Sequence, residues 1–153
     1  MQLINGIPNI IEGMAYYPHI LVPNEAFGRE MYEINLAIDD STFEQFNDEG
    51  YIGLHHAGKK KFTPDPVITF QRFAYSHNGK PNKKPRLVDT ENTDIDVAIG
   101  NGSRVKVMWK HSEYGKQNRV KRPELVAVQI VDLVPYESSG DNGFVDPETV
   151  EFD

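Results

Sequence analysis

The chain contains no cysteine, which excludes disulfides, thiolate-held metals and thiol nucleophiles as sources of stability or chemistry. A reducing compartment fits that absence. Long apolar runs are also missing. No stretch approaches the ~18 apolar residues of a membrane-crossing helix, and residues 1–13 have neither a basic start nor an apolar run of signal-peptide length. A cytoplasmic location off the membrane is therefore expected. Glycine and proline at Gly6, Pro8, Gly13, Pro18, Pro23 and Gly28 forbid a long helix in residues 1–28. Gly-x-Ser-x-Gly, Walker and zinc-ligand spacings are absent too, which removes the common hydrolase, nucleotidase and zinc-site readings.

What is present suits one domain of 153 residues, with a folded part over 1–136 and a tail over 137–153. A net charge of −7 would ordinarily argue against a nucleic-acid partner, because phosphate binding depends on Lys and Arg. The distribution reverses that inference. Residues 1–50 hold one Arg against nine Asp and Glu, residues 51–122 hold fifteen Lys and Arg against six acids, and residues 137–153 hold six acids and no base. The middle is strongly basic, and the chain carries its own counter-charge.

The stretch Ile99-Gly-Asn-Gly-Ser-Arg-Val-Lys-Val-Met-Trp-Lys110 joins a turn to a strand. Asn101-Gly102 predicts a type I′ hairpin whose strands end at Ile99 and Ser103. Period-two alternation then sends Val105, Val107 and Trp109 to one face and Arg104, Lys106, Met108 and Lys110 to the other. Residues 30–39 read as a half-buried strand with Tyr32, Ile34, Leu36 and Ile38 inward. Asp40 or Ser41 caps a short helix whose Phe43 and Phe46 share a face, a plug for one end of a barrel. Further strands are expected at 14–17, 67–75, 95–99 and 125–134, with loops at 51–66, 76–85 and 116–122. Alternation in 67–75 leaves open whether Phe70 or the pair Phe73 and Tyr75 faces inward. Five or six short strands and one helix make a mainly β fold, a small closed or partly closed barrel. The tail has too little apolar content to fold alone and is expected to be disordered.

Two kinds of chemistry compete for these residues. Asp94 and Asp96 lie on the same strand face, as two carboxylates holding a divalent metal for phosphodiester cleavage might, but solvent-facing residues of an edge strand explain them equally well. His55 and His56 are adjacent and point apart, which is poor geometry for one ion. A binding surface has more material. Unpaired nucleic acid needs a cationic groove and exposed rings on which bases stack. Here Phe62 follows Lys59–Lys61, Phe70, Phe73 and Tyr75 surround Arg72, Trp109 adjoins Lys110, and Tyr114 precedes Lys116 and Arg119. Trp109, in phase with Val105 and Val107, leans toward the core. The tail carries Phe144 and Phe152 among Asp146, Glu148, Glu151 and Asp153, so it presents negative charge and flat rings as a short single strand does. It would reach about 55–60 Å at full extension.

With these features together, the chain resembles the single-stranded DNA-binding proteins encoded by tailed bacteriophages. The resemblance rests on Ile99-Gly-Asn-Gly-Ser-Arg-Val-Lys-Val, on Leu125-Val-Ala-Val-Gln-Ile-Val-Asp-Leu-Val134, on Gly13-Met-Ala-Tyr-Tyr-Pro18 with the strand after it, and on the acidic tail with its near-terminal Phe152. Against that pattern, Asp153 follows the aromatic, and residues 55–62 are a basic insertion. The resemblance implies a five- to six-stranded OB-fold barrel with one short helix, binding single-stranded DNA without catalysis in phage replication, recombination or repair. Phosphates would meet Arg104, Lys106 and Lys110, helped by Arg72, Lys80, Lys83, Lys84, Arg86, Lys116, Arg119, Lys121 and Arg122. Bases would stack on Phe62, Phe73, Tyr75, Tyr114 and Trp109. The tail would compete for the groove and, once displaced, recruit a phage or host polymerase or helicase. A homodimer is compatible with this, and the cytoplasm of the infected bacterial host is the expected location. The alternatives are a metal-dependent nuclease using Asp94 and Asp96, and a β-barrel interaction or virion component.

Overall fold

A computed structural model of the chain describes residues 2–26, 28–115, 117 and 119–136. The elements in chain order are β1 (Leu3–Ile4), β2 (Ile7–Pro8), β3 (Ile10–Ala26), β4 (Arg29–Ala37), α1 (Asp40–Asp48), β5 (Leu54–His55), β6 (Val67–Phe73), β7 (Arg86–Val88), β8 (Ser103–Tyr114) and β9 (Val120–Asp132). Five strands close on themselves in the order β6-β4-β3-β8-β9, and β9 returns to β6 in parallel through Gln71 and Glu124. This is the closed barrel of an OB-fold. Among the described residues no helix is long and apolar enough to cross a membrane.

Closure depends on β3, which is long enough to serve two neighbours. Residues from Ile10 to Ala15 pair with β8, and those from Met14 onward pair with β4. Gly13 sits where the neighbours converge, because a Cβ there would collide with the Ala37 carbonyl oxygen. Two register shifts then bend the strand, between Tyr16 and His19 and between His19 and Asn24. Tyr17, at the first of these, adopts a left-handed φ of +49°.

 At +49° this is a conformation that costs a non-glycine residue about 1–3 kcal/mol. It is held by Asn101, whose Oδ1 accepts the Tyr17 N–H at 2.7 Å.

The alternating strands form as their sequences require. Tyr32, Ile34 and Leu36 of β4 are buried, as are Val105, Val107 and Trp109 of β8. Phe70 of β6 is buried while Phe73 is only partly so, which settles the ambiguity of that strand. The helix cap is Asp39, one residue before the expected position, and its Oδ1 accepts the Thr42 N–H at 2.7 Å. Hydrogen bonding to Thr42 holds the Asp39 carboxyl below its ordinary range. From α1, Phe46 enters the barrel end, 4.9 Å from the Trp109 ring and 6.1 Å from Phe70. The helix is therefore a plug. Burying rings of this size dominates the core, where truncation to alanine costs about 3–5 kcal/mol.

Three expectations are corrected. The Asn101-Gly102 turn is not a type I′ hairpin: Ser103 N–H donates to the Gly100 carbonyl at 3.3 Å, and of the two central residues only Gly102 has a positive φ, +89°. Both edges of β8 are already taken by β3 and β9, so residues 95–99 have no edge to join and form no strand; Ile99 makes an isolated bridge to Pro135 instead. The basic loop expected at 116–122 is shorter, because β9 already begins at Val120. The three-residue β7, too short to show periodicity, lies parallel to β9. The tail, with Phe144, Asp146, Glu148, Glu151, Phe152 and Asp153, lies outside the described residues, as does Lys116.

Candidate nucleic-acid interface

The outward row of β8 runs Arg104, Lys106, Met108, Lys110 and ends at Tyr114, all exposed. The alternation that buries Val105, Val107 and Trp109 dictates this placement. On one side β3 adds Ile10, Glu12 and Met14, in register with Met108, Lys106 and Arg104. On the other side β9 adds Val126, Ala127 and Gln129, and the segment around β7 forms a wall. Together they enclose a groove of about 740 Å³. Ile10, Met108, Val126, Ala127 and Val88 supply its apolar surface; Arg72, Lys83, Lys84, Arg86 and Lys106 supply its charge, against one carboxylate among the described residues, Glu12.

These cations divide into two kinds. Arg72 is held by Glu124 at 3.0 Å, and its guanidinium also donates to the Lys83 carbonyl at 2.8 Å and the Leu125 carbonyl at 3.3 Å. It fastens the lysine-bearing segment to the barrel. Arg86 is paired with Asp94 at 2.9 Å, and Arg104 with Glu12 at 3.3 Å. Lys83, Lys84, Lys106 and Lys110 make no ion pair among the described residues. Lys84 does donate from Nζ to the Leu21 carbonyl at 3.3 Å, a contact that leaves its charge uncompensated.

An aromatic cluster stands beyond Lys110. The Phe73 and Tyr114 rings meet edge to face at 6.4 Å, and the Arg122 guanidinium lies 4.2 Å from the first and 4.9 Å from the second. Arg29 lies 4.1 Å from the Phe73 ring. Arg122 is only 5 % exposed, and its buried Nε has no hydrogen-bond partner among the described residues. Burial pushes its pKa down, although a guanidinium remains charged. Tyr114 keeps 41 % of its surface open, so the cluster presents a ring to solvent with positive charge behind it.

No family model matches the sequence, and no curated protein matches it. Among solved structures, the gp2.5 single-stranded DNA-binding protein encoded by bacteriophage T7 superposes with a TM-score of 0.60 and 18 % identity, over 94 % of this chain and 98 % of that one. The chain has the fold of phage single-stranded DNA-binding proteins. The single-stranded DNA-binding protein of bacteriophage Enc34 superposes with a TM-score of 0.57 and 13 % identity, over 88 % of this chain and 87 % of that one. Its complex with single-stranded DNA does so with a TM-score of 0.58 and 14 % identity, over 81 % and 86 %. At these identities the likeness is one of fold.

The structure brings Arg72, Lys83, Lys84, Arg86 and Lys106 into one groove, with Arg104 and Lys110 along the same strand row. Phe73, Tyr114 and Arg122 gather at its end. Lys80 and Tyr75 are exposed on the loop after β6, where Tyr75 bridges Pro81. Five assignments change. Trp109 is 1 % exposed, lies among Phe46 and Tyr51, and donates its indole N–H to the Pro8 carbonyl at 2.9 Å; it has no face to offer a base. Arg122 is a buried support for rings rather than a phosphate contact. Lys121 bonds the Glu49 carbonyl and lies 4.9 Å from the Tyr51 ring, and Arg119 is paired with Glu113 at 3.2 Å. Asp94 and Asp96 do not share a strand, the Asp94 carboxylate is engaged by Arg86, and no group of three potential metal-ligating side chains forms among the described residues. His55 and His56 diverge as expected: the first meets the Thr69 hydroxyl at 3.1 Å, and the second lies 5.0 Å from the Phe43 ring.

Sequence reasoning missed Arg29, Ile10 and the pair Tyr16 and Tyr17. Arg29 carries a signal, since it is the one Lys or Arg among the first fifty residues. Ile10 does not, because its role comes from lying opposite Met108 across two strands far apart in sequence.

Proposed function

We propose that the chain binds single-stranded DNA without catalysing a reaction on it, as a phage protein of DNA replication, recombination or repair in the cytoplasm of the infected bacterium. The observation that carries this reading is the groove along β8, in which five cations and one carboxylate surround an apolar floor. Such a surface is suited to phosphates on its rim and unstacked bases on its floor, whereas a duplex keeps its base faces hidden. Lys83, Lys84, Lys106 and Lys110 take phosphates; Met108, Ile10, Tyr114 and Tyr75 take bases. An OB-fold binds about 4 to 16 nucleotides.

The acidic tail supports a second layer of the proposal. Its six acids and two phenylalanines match the charge and apolar character of the groove, so it competes with DNA and, when displaced, becomes available to a polymerase or helicase. A homodimer would place a neighbour's groove within its reach. The test of the non-catalytic reading uses a 5′-labelled oligo-dT incubated with protein and Mg²⁺ or Mn²⁺. The label is expected to shift to a slower complex and stay full length; metal-dependent shortening would replace binding with cleavage.

A further inference from the structure

The basic insertion at residues 55–62 has no place in the groove, yet the fold brings it to the end of one of the groove's own strands. Along the outward face of β3, Glu12 and Met14 lie opposite Lys106 and Arg104, and Tyr16 is the next side chain in that row. Phe62 covers it, with ring centroids 4.7 Å apart, and also meets Tyr17 edge-on at 5.4 Å. Lys59, Lys60 and Lys61 precede Phe62 and make no ion pair among the described residues.

Tyr17 is the informative residue here. It is 54 % exposed, and its φ of +49° is one that glycine or asparagine adopts far more easily. Core formation does not require a tyrosine in that position. The platform around it is braced: the Asn35 amide donates to the Tyr16 carbonyl at 3.2 Å, and the Thr69 hydroxyl donates to Asn35 Oδ1 at 2.7 Å. His55 completes the row at 3.1 Å from Thr69. Tyr16 lies about 13 Å from Glu12, four residues along a strand at ~3.3 Å each, and the strained, open Tyr17 follows it, with Phe62, which the lysines precede in sequence, packed alongside.

We propose that Tyr17, Tyr16 and Phe62, with Lys59, Lys60 and Lys61, form a second contact site for the same DNA strand. A strand leaving the groove past Arg104 stacks an unpaired base on Tyr17 and lays its next phosphates against the lysines. This rests on the single-strand reading of the groove and extends it to a longer footprint.

The test compares full-length wild type with Tyr17→Asn and with the triple variant Lys59→Ala, Lys60→Ala, Lys61→Ala on oligo-dT of increasing length. Asparagine tolerates the left-handed backbone, so thermal melting of Tyr17→Asn is expected to match or exceed wild type. Its affinity falls about 5- to 100-fold on long oligonucleotides, with the shortest bound oligonucleotide unaffected. The triple variant lowers the slope of log affinity against log salt by about 2 on the long ones. Wild-type binding with variants of unchanged slope and length dependence would remove the second site and leave the groove standing. Equal weakening at every length would also overturn the second site. Failure of wild type to bind single strands would overturn both readings.

Discussion

Replacing Lys83, Lys84 and Lys106 together by alanine removes the three groove-lining cations that make no ion pair among the described residues. All three are exposed, so folding stability should stay within about 0.5 kcal/mol of wild type. The effect on binding is larger and depends on salt. Each phosphate neutralised on a single strand contributes about 0.7 to the slope of log affinity against log salt, so losing three contacts flattens that slope by about 2. Between 50 and 200 mM salt, the ratio of wild-type to variant affinity should therefore shrink about 20-fold. Fluorescence anisotropy of a labelled oligo-dT at four or five salt concentrations measures both lines. Parallel lines would mean that these lysines do not touch phosphate, and the groove would lose its role.

Four further outcomes are expected. Trp109, the chain's one tryptophan, should emit at short wavelength, resist acrylamide and change little on adding DNA; strong quenching by DNA would put its ring at the surface. Gly100→Ala would drive a Cβ into the carbonyl oxygens of Val134 and Pro135, costing about 1–3 kcal/mol and lowering the melting temperature by roughly 2–4 °C per kcal/mol; an unchanged melting curve would refute that close approach. Asp39→Ala removes the helix cap at a cost of about 1 kcal/mol near neutral pH. Because the folded-state pKa of Asp39 is depressed, that contribution is full above its ordinary value of 3.8 and fades as pH falls through the lower folded value, so a stability gap that persisted undiminished in strong acid would contradict the assignment. Truncation after Tyr136 should tighten oligo-dT binding, most at low salt, by removing six acids; equal affinities would end the tail-competition proposal.

Where one face of a strand is buried and the other wet, the sequence was readable. Tyr32, Ile34 and Leu36 in β4 and Val105, Val107 and Trp109 in β8 show the alternation plainly, and the cationic row of Arg104, Lys106 and Lys110 followed from it. Pairing partners were not readable. Ile99 and Ser103 read as a hairpin because local turn chemistry says nothing about whether β8 still has a free edge. The candidate site was legible as a set of residue types but not as a set of roles. Lys106 and Lys121 look alike in sequence, yet one lines the groove and the other is tied to Glu49 beside Tyr51. Arg122 reads as a phosphate contact until the fold buries it against Phe73 and Tyr114. Such distinctions depend on contacts between distant segments.

The most direct test of the central claim is an equilibrium titration of the full-length protein with single- and double-stranded oligonucleotides of one sequence, repeated across salt concentrations. Tight binding to the single strand, weakening steeply and linearly on a log–log salt plot and clearly exceeding duplex binding, is the expected result. Salt-independent binding, or none to the single strand, would contradict the account.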